Sequence, residues 1–502
     1  MRYRGPRGPR RRCSPGAREA LTVRRVQLYD SLTRTTRGFM PIVPPRVGLY
    51  VCGMTPYDAA HIGHGRTFVI FDVVARALRR WGYRVFYVQN VTNLDDKLIA
   101  RAAEEGDDPL ELAERYFLDF RRSMDRMGVR TVDYYPFATD YVPEILEQIR
   151  SLVDQGFAYV ANDGSVYFEV AKFAHYGALS GQKVSALQPG ARVEVDARKR
   201  APEDFVIWKA ATPGEPSWES PWGPGRPGWH VEDTAMTGKL LGAKYDLHGA
   251  GLDLIFPHHE AEIALSESAT GESPMVNYWM HTGLVSMKGE KMSKSIGNVS
   301  SLEQAIDDFG PGVLRFYYLN AHYRSPIDFL PGTSLEEARE AYARLSVPAD
   351  RIDELLERDG PERAGDPLPE ELGNSAEALV EQLDTTLADD FNTRESIALL
   401  FGWTRKVSEL GEGITHLSGE ALTALAAPYR WGQETLGFFE RASSGRSGGW
   451  TSVVPLLLEA RARARERGDF AEADRIRDAL RAVGVRVEDG ADGPRWEFAA
   501  PE

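Results

Sequence analysis

The chain has 502 residues, of which 42% are hydrophobic and 10% aromatic, and it carries a formal net charge of −14. That length exceeds one compact core and predicts about two to four domains. No apolar run approaches the roughly 18 residues a membrane-spanning helix needs, the acidic balance excludes a surface coated overall for nucleic acid though not a local basic patch, and two cysteines, Cys13 and Cys52, exclude a disulfide framework and suit a reducing, cytoplasmic setting.

The first twelve residues, MRYRGPRGPRRR, hold six arginines with no apolar segment behind them. This is not the pattern of a secretory signal. Residues 1–22 read as a basic, disordered tail, and Cys13 within it has no assigned role. RVGLYVCG reads as a buried strand over Val47–Val51, followed by a turn at Thr55–Asp58 and a helical pattern from about Ile62 to Trp81. RVFYVQNVT, residues 84–92, is a second strand. Strand, helix, strand is the opening of a parallel α/β sheet. Helices are predicted over 108–127 and 141–155, and short strands at GSVYFEV (164–170) and DFVIWKA (204–210) among loops rich in Gly, Pro and Trp. LDLIF (252–256) and VNYWMHTGLV (276–285) are predicted to return the chain to the sheet. From about Ser334 the pattern is almost wholly helical, broken by linkers at 357–373 and 442–449. The last piece, 450–502, has a helix studded with Arg461, Arg463, Arg465, Arg467, Arg475 and Arg477, then a short tail, VRVEDGADGPRWEF. The expected class is α/β: a nucleotide-type parallel-sheet domain over 23–333 with an insertion at about 125–245, a helical bundle over 334–441, and a small module over 450–502.

Three motifs carry chemistry. HIGHG (61–65) follows a strand and a turn and opens a helix. In open α/β sheets ligands bind at the carboxyl ends of strands, beside helix N-termini whose free N–H groups favour phosphate. Gly63 lets a flat base lie against the backbone, and His61 and His64 are placed to donate to phosphate oxygens. EKMSKSIGN (290–298) follows a later strand and sets Lys291 and Lys294 in a Gly- and Ser-rich stretch. Two ammonium groups there suit a pyrophosphate whose charge grows as it leaves. In FPHHEAEIA, His258 and Glu262 stand four apart, hence on one helix face. A His and a carboxylate at that spacing share a metal or form a buried ion pair. Cys52 ends the first strand at the same carboxyl edge of the sheet.

HIGH followed by KMSKS resembles the class I aminoacyl-tRNA synthetases, and the chain is similar nearly end to end to their cysteinyl-tRNA synthetase family. The matching stretches include LYVCGMTPYDAAHIGHGRT, YVQNVTNLDDK, RPGWHVEDTAM, DLHGAGLDLIFPHHEAEIALSE, WMHTGLVSMKGEKMSKSIGN, ADDFNTRESIALLF and GDFAEADRIRDAL. The resemblance implies a Rossmann-like catalytic domain, a helical tRNA-binding domain and an anticodon-side C-terminal module. It implies ATP, with Mg2+, at His61, Gly63, His64, Lys291 and Lys294. It implies one zinc ion at Cys52, His258 and Glu262, and L-cysteine contacts at Thr92, Trp229 and Asp253. It also implies tRNA(Cys) as acceptor. A soft metal is a physical answer to the discrimination between cysteine and serine, which differ by one atom and which steric fit separates poorly.

One position departs from the family. Its usual text is GWHIEC, with that cysteine a zinc ligand; here GWHVED puts Asp233 in its place. Asp233 is then either a harder fourth ligand or the N-cap of a helix beginning near Thr234. Two other functions compete: the related ligase that joins cysteine to a glucosamine-inositol in mycothiol synthesis, and a non-catalytic RNA-binding paralogue. The first should lack the C-terminal part, and the intact HIGH and KMSKS stretches count against the second.

Overall fold

Strands buried on both faces build the centre of the molecule, and helices cover them. The computed structural model describes residues 23–182, 198–287, 290–291, 300–439 and, beyond these, 457–458, 461, 464–465, 473, 476–477, 480, 485–490 and 493–498. It divides into two units, Met1–Phe439 and Glu440–Glu502. The basic tail, the 442–449 linker and Lys294 lie outside the described residues.

The first unit opens with a hairpin, β1 (Gln27–Asp30) and β2 (Thr35–Gly38), then β3 (Arg46–Val51), α1 (Ile62–Arg80) and β4 (Arg84–Gln89). Helix α1 turns Val69, Ile70, Phe71, Val73, Val74, Ala77 and Leu78 inward, the 3.6-residue period its sequence announces. Next come α2 (Asp96–Glu105) and α3 (Pro109–Arg126), started by Asp95 and Asp108, whose carboxylates accept the orphan N–H groups of Leu98 and of Leu110 and Glu111. After α4 (Val142–Asp154) an antiparallel sheet forms from β5 (Ala158–Val160), β6 (Val166–Phe168), β7 (Phe205–Ala210) and β8 (Gly225–Pro227), in that order, over its own apolar core. Then follow α5 (Trp229–Leu240), β9 (Tyr245–Gly251), α6 (Glu260–Thr270) and β10 (Val276–Thr282).

The main sheet runs β10-β9-β3-β4, all parallel. The chain makes β3, steps out to β4, then crosses back to lay β9 on the other side of β3. The strand order therefore reverses between β3 and β9, and at such a switch point the carboxyl ends of the strands open a crevice for ligands.

The predicted strand at LDLIF is instead a 3-10 turn, Leu252–Leu254, followed by an irregular helical turn, Ile255–His259. The strand lies just before it, at Tyr245–Gly251. Leu252 is 47% exposed, and Pro257 has no N–H to give a ladder. The predicted strand 276–285 also breaks, at Gly283. There the chain passes so close to Ser325 that a Cβ on Gly283 would stand 2.3 Å from a carbonyl oxygen. β11 (Val285–Met287) then joins a separate sheet with β12 (Glu290–Lys291) and, after α7 (Leu302–Phe309) and α8 (Pro311–Leu319), β13 (Ile327–Phe329). The bundle is α9 (Ser334–Asp359), α10 (Glu370–Leu387), α11 (Thr393–Ser408) and α12 (Gly419–Trp431).

In the second unit β14 (Val485–Gly490) and β15 (Gly493–Phe498) pair as an antiparallel hairpin where a plain tail was expected. Helical positions before it bury Leu458, Ala464, Ala473 and Leu480. Arg461 is also buried there, so it is not a free surface contact, whereas Arg465 is exposed and Arg477 half-buried. Arg463, Arg467 and Arg475 lie outside the described residues.

A buried ion pair ties the sheet to the bundle. The Arg315 guanidinium of α8 meets Asp72 of α1 at 2.8 Å and donates to the carbonyls of Met127 and Leu436. Asp72 also holds Arg76 and the Thr131 hydroxyl. Asp72→Ala leaves the Arg315 charge buried without its counter-ion, an effect of about 3–5 kcal/mol. Urea denaturation should show that loss in the transition of the first unit.

Candidate active site at the switch point of the sheet

The crevice is present. A cleft of about 300 Å³ is lined by Cys52, His61, Gly63, His64, Gly251 and Asp253, among others. Cys52 follows β3 and donates its N–H to the Gly249 carbonyl of β9, so it sits at the reversal itself. Helix α1 starts at Ile62, with His61 in the extended conformation before it. The His61 and His64 rings stack at 3.8 Å, and the His61 N–H donates to His64 Nδ1 at 3.2 Å. A Cβ on Gly63 would stand 2.9 Å from the His61 ring, so the ring position itself requires glycine.

The two described flanks of the KMSKS stretch are fixed. At its start, Lys291, the first residue of the stretch, pairs with Ser286 through the backbone. After it, Ser300 accepts the Ile62 N–H and Leu302 donates to the Ala60 carbonyl. The far flank thus lies against the start of the HIGH helix.

Behind Cys52 is a buried polar cluster. Cys52, Asp233, His258 and Glu262 each offer one donor atom, all within 4.8 Å of one another, and Cys52, His248, His259 and Glu262 do the same. His258 Nε2 lies 2.8 Å from Asp233 Oδ2 and 2.8 Å from Glu262 Oε1. Cys52 Sγ lies 3.9 Å from each carboxylate, and 3.2 and 3.3 Å from Nε2 of His248 and His259. The second nitrogens of those two rings are occupied. His248 Nδ1 meets the Tyr245 hydroxyl at 2.6 Å, and His259 Nδ1 meets His281 Nε2 at 2.8 Å. Such contacts fix ring orientation around a metal. Glu262 Oε2 is buried with no hydrogen-bond partner.

Charge inside this cluster is costly. Burial, then the Glu262 and Asp233 carboxylates, push the Cys52 thiol well up. Burial works against a charged His258, but Glu262 and Asp233 outweigh it and hold the imidazole at about 10. Burial raises Glu262 despite His258. It drives His248, His259 and His281 down, so these stay neutral and able to give a lone pair. Without a cation the site balances its charge with protons: His258 is held charged, Cys52 is held as a thiol and Glu262 is driven toward its protonated form. A divalent cation can take the place of those protons. The donor set of sulfur, imidazole and carboxylate fits a metal ion.

Asp233 does not cap a helix. Helix α5 begins at Trp229 with Gly228 in the cap position, which puts Asp233 fifth in the helix. Its carboxylate instead takes an N–H from Asn90 at 2.7 Å and faces His258. The cap residue itself packs against β7: a Cβ on Gly228 would stand 2.3 Å from the Val206 carbonyl, a backbone approach that only glycine permits.

The remaining predicted residues scatter around this centre. Trp229, 42% exposed, stacks on His258 at 4.2 Å and covers the cluster from outside. Asp253 lies exposed at the cleft on the 3-10 turn. Thr92 is buried behind the cluster, where it accepts from Asn90 at 3.3 Å. Sequence reasoning missed His248, His259, His281 and Asn90. The doubled histidine in PHHE was the signal for His259.

The fold and cleft are those of a class I aminoacyl-tRNA synthetase. Residues 38–340 match the family model for tRNA synthetases class I (C) catalytic domain, and residues 452–496 that for the cysteinyl-tRNA ligase anticodon binding domain. Methionyl-tRNA synthetase of Mycobacterium tuberculosis, in complex with methionyl-adenylate, superimposes with a TM-score of 0.57 at 17% identity, over 82% of this chain and 94% of that one. A putative arginyl-tRNA synthetase of Campylobacter jejuni gives 0.54 at 12%, over 79% and 94%. Sequence narrows the class. Cysteine–tRNA ligase of Pelotomaculum thermopropionicum is 44% identical over 492 residues, 94% of this chain and 99% of its own. That of Thermococcus onnurineus is 41% identical over 473 residues, with 94% and 99% covered. The chain belongs to the cysteine–tRNA ligase family.

Because Asp233 faces the donors and not a helix end, Asp233→Ala should leave α5 intact and reduce metal retention. Purified chain should hold stoichiometric metal before the substitution and sub-stoichiometric metal after mild chelation, by elemental analysis, with an unchanged circular dichroism spectrum.

Proposed function

We propose that this member of the family activates L-cysteine with ATP to cysteinyl-adenylate and transfers it to the 3′ end of tRNA(Cys), in the cytoplasm. One observation carries the reading most: Cys52 and the HIGH residues His61, Gly63 and His64 line one cleft at the point where the strand order reverses. The donor cluster and the phosphate-type helix start are thereby within reach of one small substrate pair.

In the first step the cysteine carboxylate attacks the ATP α-phosphate in line and pyrophosphate leaves. The α1 N-terminus, His61 and His64 orient the phosphates, Lys291 and Lys294 stabilise the charge that grows on pyrophosphate, and Mg2+ travels with ATP. In the second step the terminal ribose hydroxyl of tRNA attacks the mixed anhydride. Asp253 is assigned to the substrate ammonium, Thr92 to the inner wall and Trp229 to closure over the amino acid. The enzyme's part is positioning and electrostatic stabilisation.

We assign one zinc ion to Cys52, Asp233, His258 and Glu262. When bound, it favours a substrate thiolate over a serine hydroxyl, whose pKa is far higher. His248 and His259 also reach Cys52 Sγ, at 3.2 and 3.3 Å through Nε2, and would hold it in place.

We read 23–333 as the catalytic domain, with its insertion at about 125–245, 334–441 as the tRNA-binding bundle and 450–502 as the anticodon-side module. The family match over 452–496 favours tRNA over the glucosamine-inositol acceptor.

His64→Ala or Lys294→Ala should lower cysteine-dependent ATP–pyrophosphate exchange by about 10²-fold or more with the fold retained, since each donor acts on developing charge. Normal exchange in both variants would defeat the ATP assignment. Deleting residues 450–502 should weaken tRNA charging and spare cysteine activation, in a salt-dependent manner set by phosphate contacts. A parallel fall in both activities would make the module a stability element for the chain.

A further inference from the structure

We infer that Asn90 is a positioning residue that clamps the Asp233 carboxylate for the metal, a role that the aspartate at 233 creates and a cysteine there would not need. The inference rests on the metal assignment above and adds to it a device for holding one ligand.

Asn90 is 2% exposed and follows β4, the strand beside β3. Its three side-chain contacts leave its amide no freedom. Oδ1 accepts the Gly53 N–H at 2.6 Å. Nδ2 donates one hydrogen to Asp233 Oδ1 at 2.7 Å and the other to the Thr92 hydroxyl at 3.3 Å. Rotating the amide by half a turn would set its oxygen against a carboxylate and its NH2 against an N–H, so the orientation is decided by its partners. The approach is closed from the backbone side too. A Cβ on Gly53 would stand 1.7 Å from the Asn90 carbonyl oxygen, so the chain just after Cys52 rests directly on Asn90. One buried side chain thus joins the residue that follows Cys52 to the carboxylate of Asp233. It couples two donors that are 181 positions apart in sequence.

The consequence follows from denticity. A carboxylate has two oxygens and can swing between one- and two-point binding. A thiolate presents one sulfur and has no such freedom. With Oδ1 engaged by Asn90, only Oδ2 is presented to the cluster, 2.8 Å from His258 Nε2 and 3.9 Å from Cys52 Sγ. The hydrogen bond also spreads the negative charge of Asp233, which is 1% exposed and has Glu232 and Glu262 as buried neighbours in the field. Outer partners of metal-binding carboxylates typically contribute ten- to a hundredfold in metal affinity.

The test is a double-mutant cycle on the full chain, with Zn2+ affinity read by competition against a chromophoric chelator. Asn90→Ala should weaken Zn2+ by about ten- to a hundredfold in the natural chain. In a chain already carrying Asp233→Cys, the same change should cost no more than a few-fold. The Gly53 contact is lost in both backgrounds, so the difference isolates the Asp233 term. Asn90→Asp, which keeps an acceptor for Gly53 N–H and removes the donor, should lose at least as much as Asn90→Ala in the natural chain. Equal losses in the two backgrounds, or wild-type affinity in Asn90→Asp, would overturn the clamp and leave the metal assignment standing. A natural chain that binds no Zn2+ would overturn the metal assignment itself.

Discussion

The structure depends on one constraint: ionisable groups are held out of water behind Cys52, and their charges must balance one another locally. Cys52, Asp233, His248, His258, His259, Glu262 and His281 are each at most 5% exposed. An isolated ion costs many kcal/mol in such surroundings, so two carboxylates and a thiol cannot all be ionised there beside a single charged imidazole. The response visible in the chain is protonation: Cys52 is pushed up and His258 is held charged. A dry pocket that stores negative donors behind protons favours any cation able to displace them. It also explains the outer contacts made by most of these donors, Glu262 Oε2 being the buried exception. Tyr245, His281 and Asn90 each fix a donor that would otherwise carry an unsatisfied atom.

The sheet decides where this pocket can be. Reversal of strand order between β3 and β9 leaves their carboxyl ends uncovered by crossovers, and Cys52 is the residue at which β3 arrives there. Nine positions later the chain starts α1 with His61. One strand end therefore serves both halves of the cleft, with the thiol turned to the buried donors and the helix start turned to the open side. The Ser300–Leu302 contacts to Ala60 and Ile62 bring the exit of the KMSKS stretch to the same helix start. Close approach requires glycine at Gly53 and Gly249. A Cβ on Gly249 would stand 2.2 Å from the Phe71 ring, so α1 sits against β9 only because that side chain is absent.

That same glycine shows why part of the site was illegible. YDLHGAG reads poorly as a strand, since it has Asp, His and two glycines and no β-branched residue, yet it is β9, held by parallel pairing to β3 and β10. LDLIF reads well as a strand and is not one. With β9 unrecognised, His248 had no place on the sheet edge. His258 and Glu262 were legible because their partnership is local, four residues along one face. The pairing of either with Cys52 was reached through the family likeness, since nothing in a single sequence fixes a contact over two hundred residues. Asp233 was legible as a departure in text but not as a geometry. Helix α5 starts at Trp229, which carries Asp233 past the cap position, and the Gly228 cap packs against the β7 backbone, a contact that local reading cannot see.

Replacing a cysteine by Asp233 keeps the formal charge of the donor set, since thiolate and carboxylate each bring one negative charge. What changes is softness and the number of donor atoms. With the proposed ligands Cys52 is the one protein sulfur among the described donors, so a substrate thiolate would supply half of all sulfur at a bound metal, and the donor set is harder and would leave the metal more strongly Lewis acidic. Harder donors weaken the preference for thiol over hydroxyl that a soft site provides, while greater acidity favours ionising the thiol. These effects oppose each other. Which one wins turns on whether the carboxylate binds through one oxygen or two, because a second oxygen raises coordination and lowers acidity. The Asn90 hydrogen bond to Oδ1 would favour the one-oxygen arrangement. On the proposed metal assignment, the hydrogen bond from this one buried amide would bias the balance between the two effects.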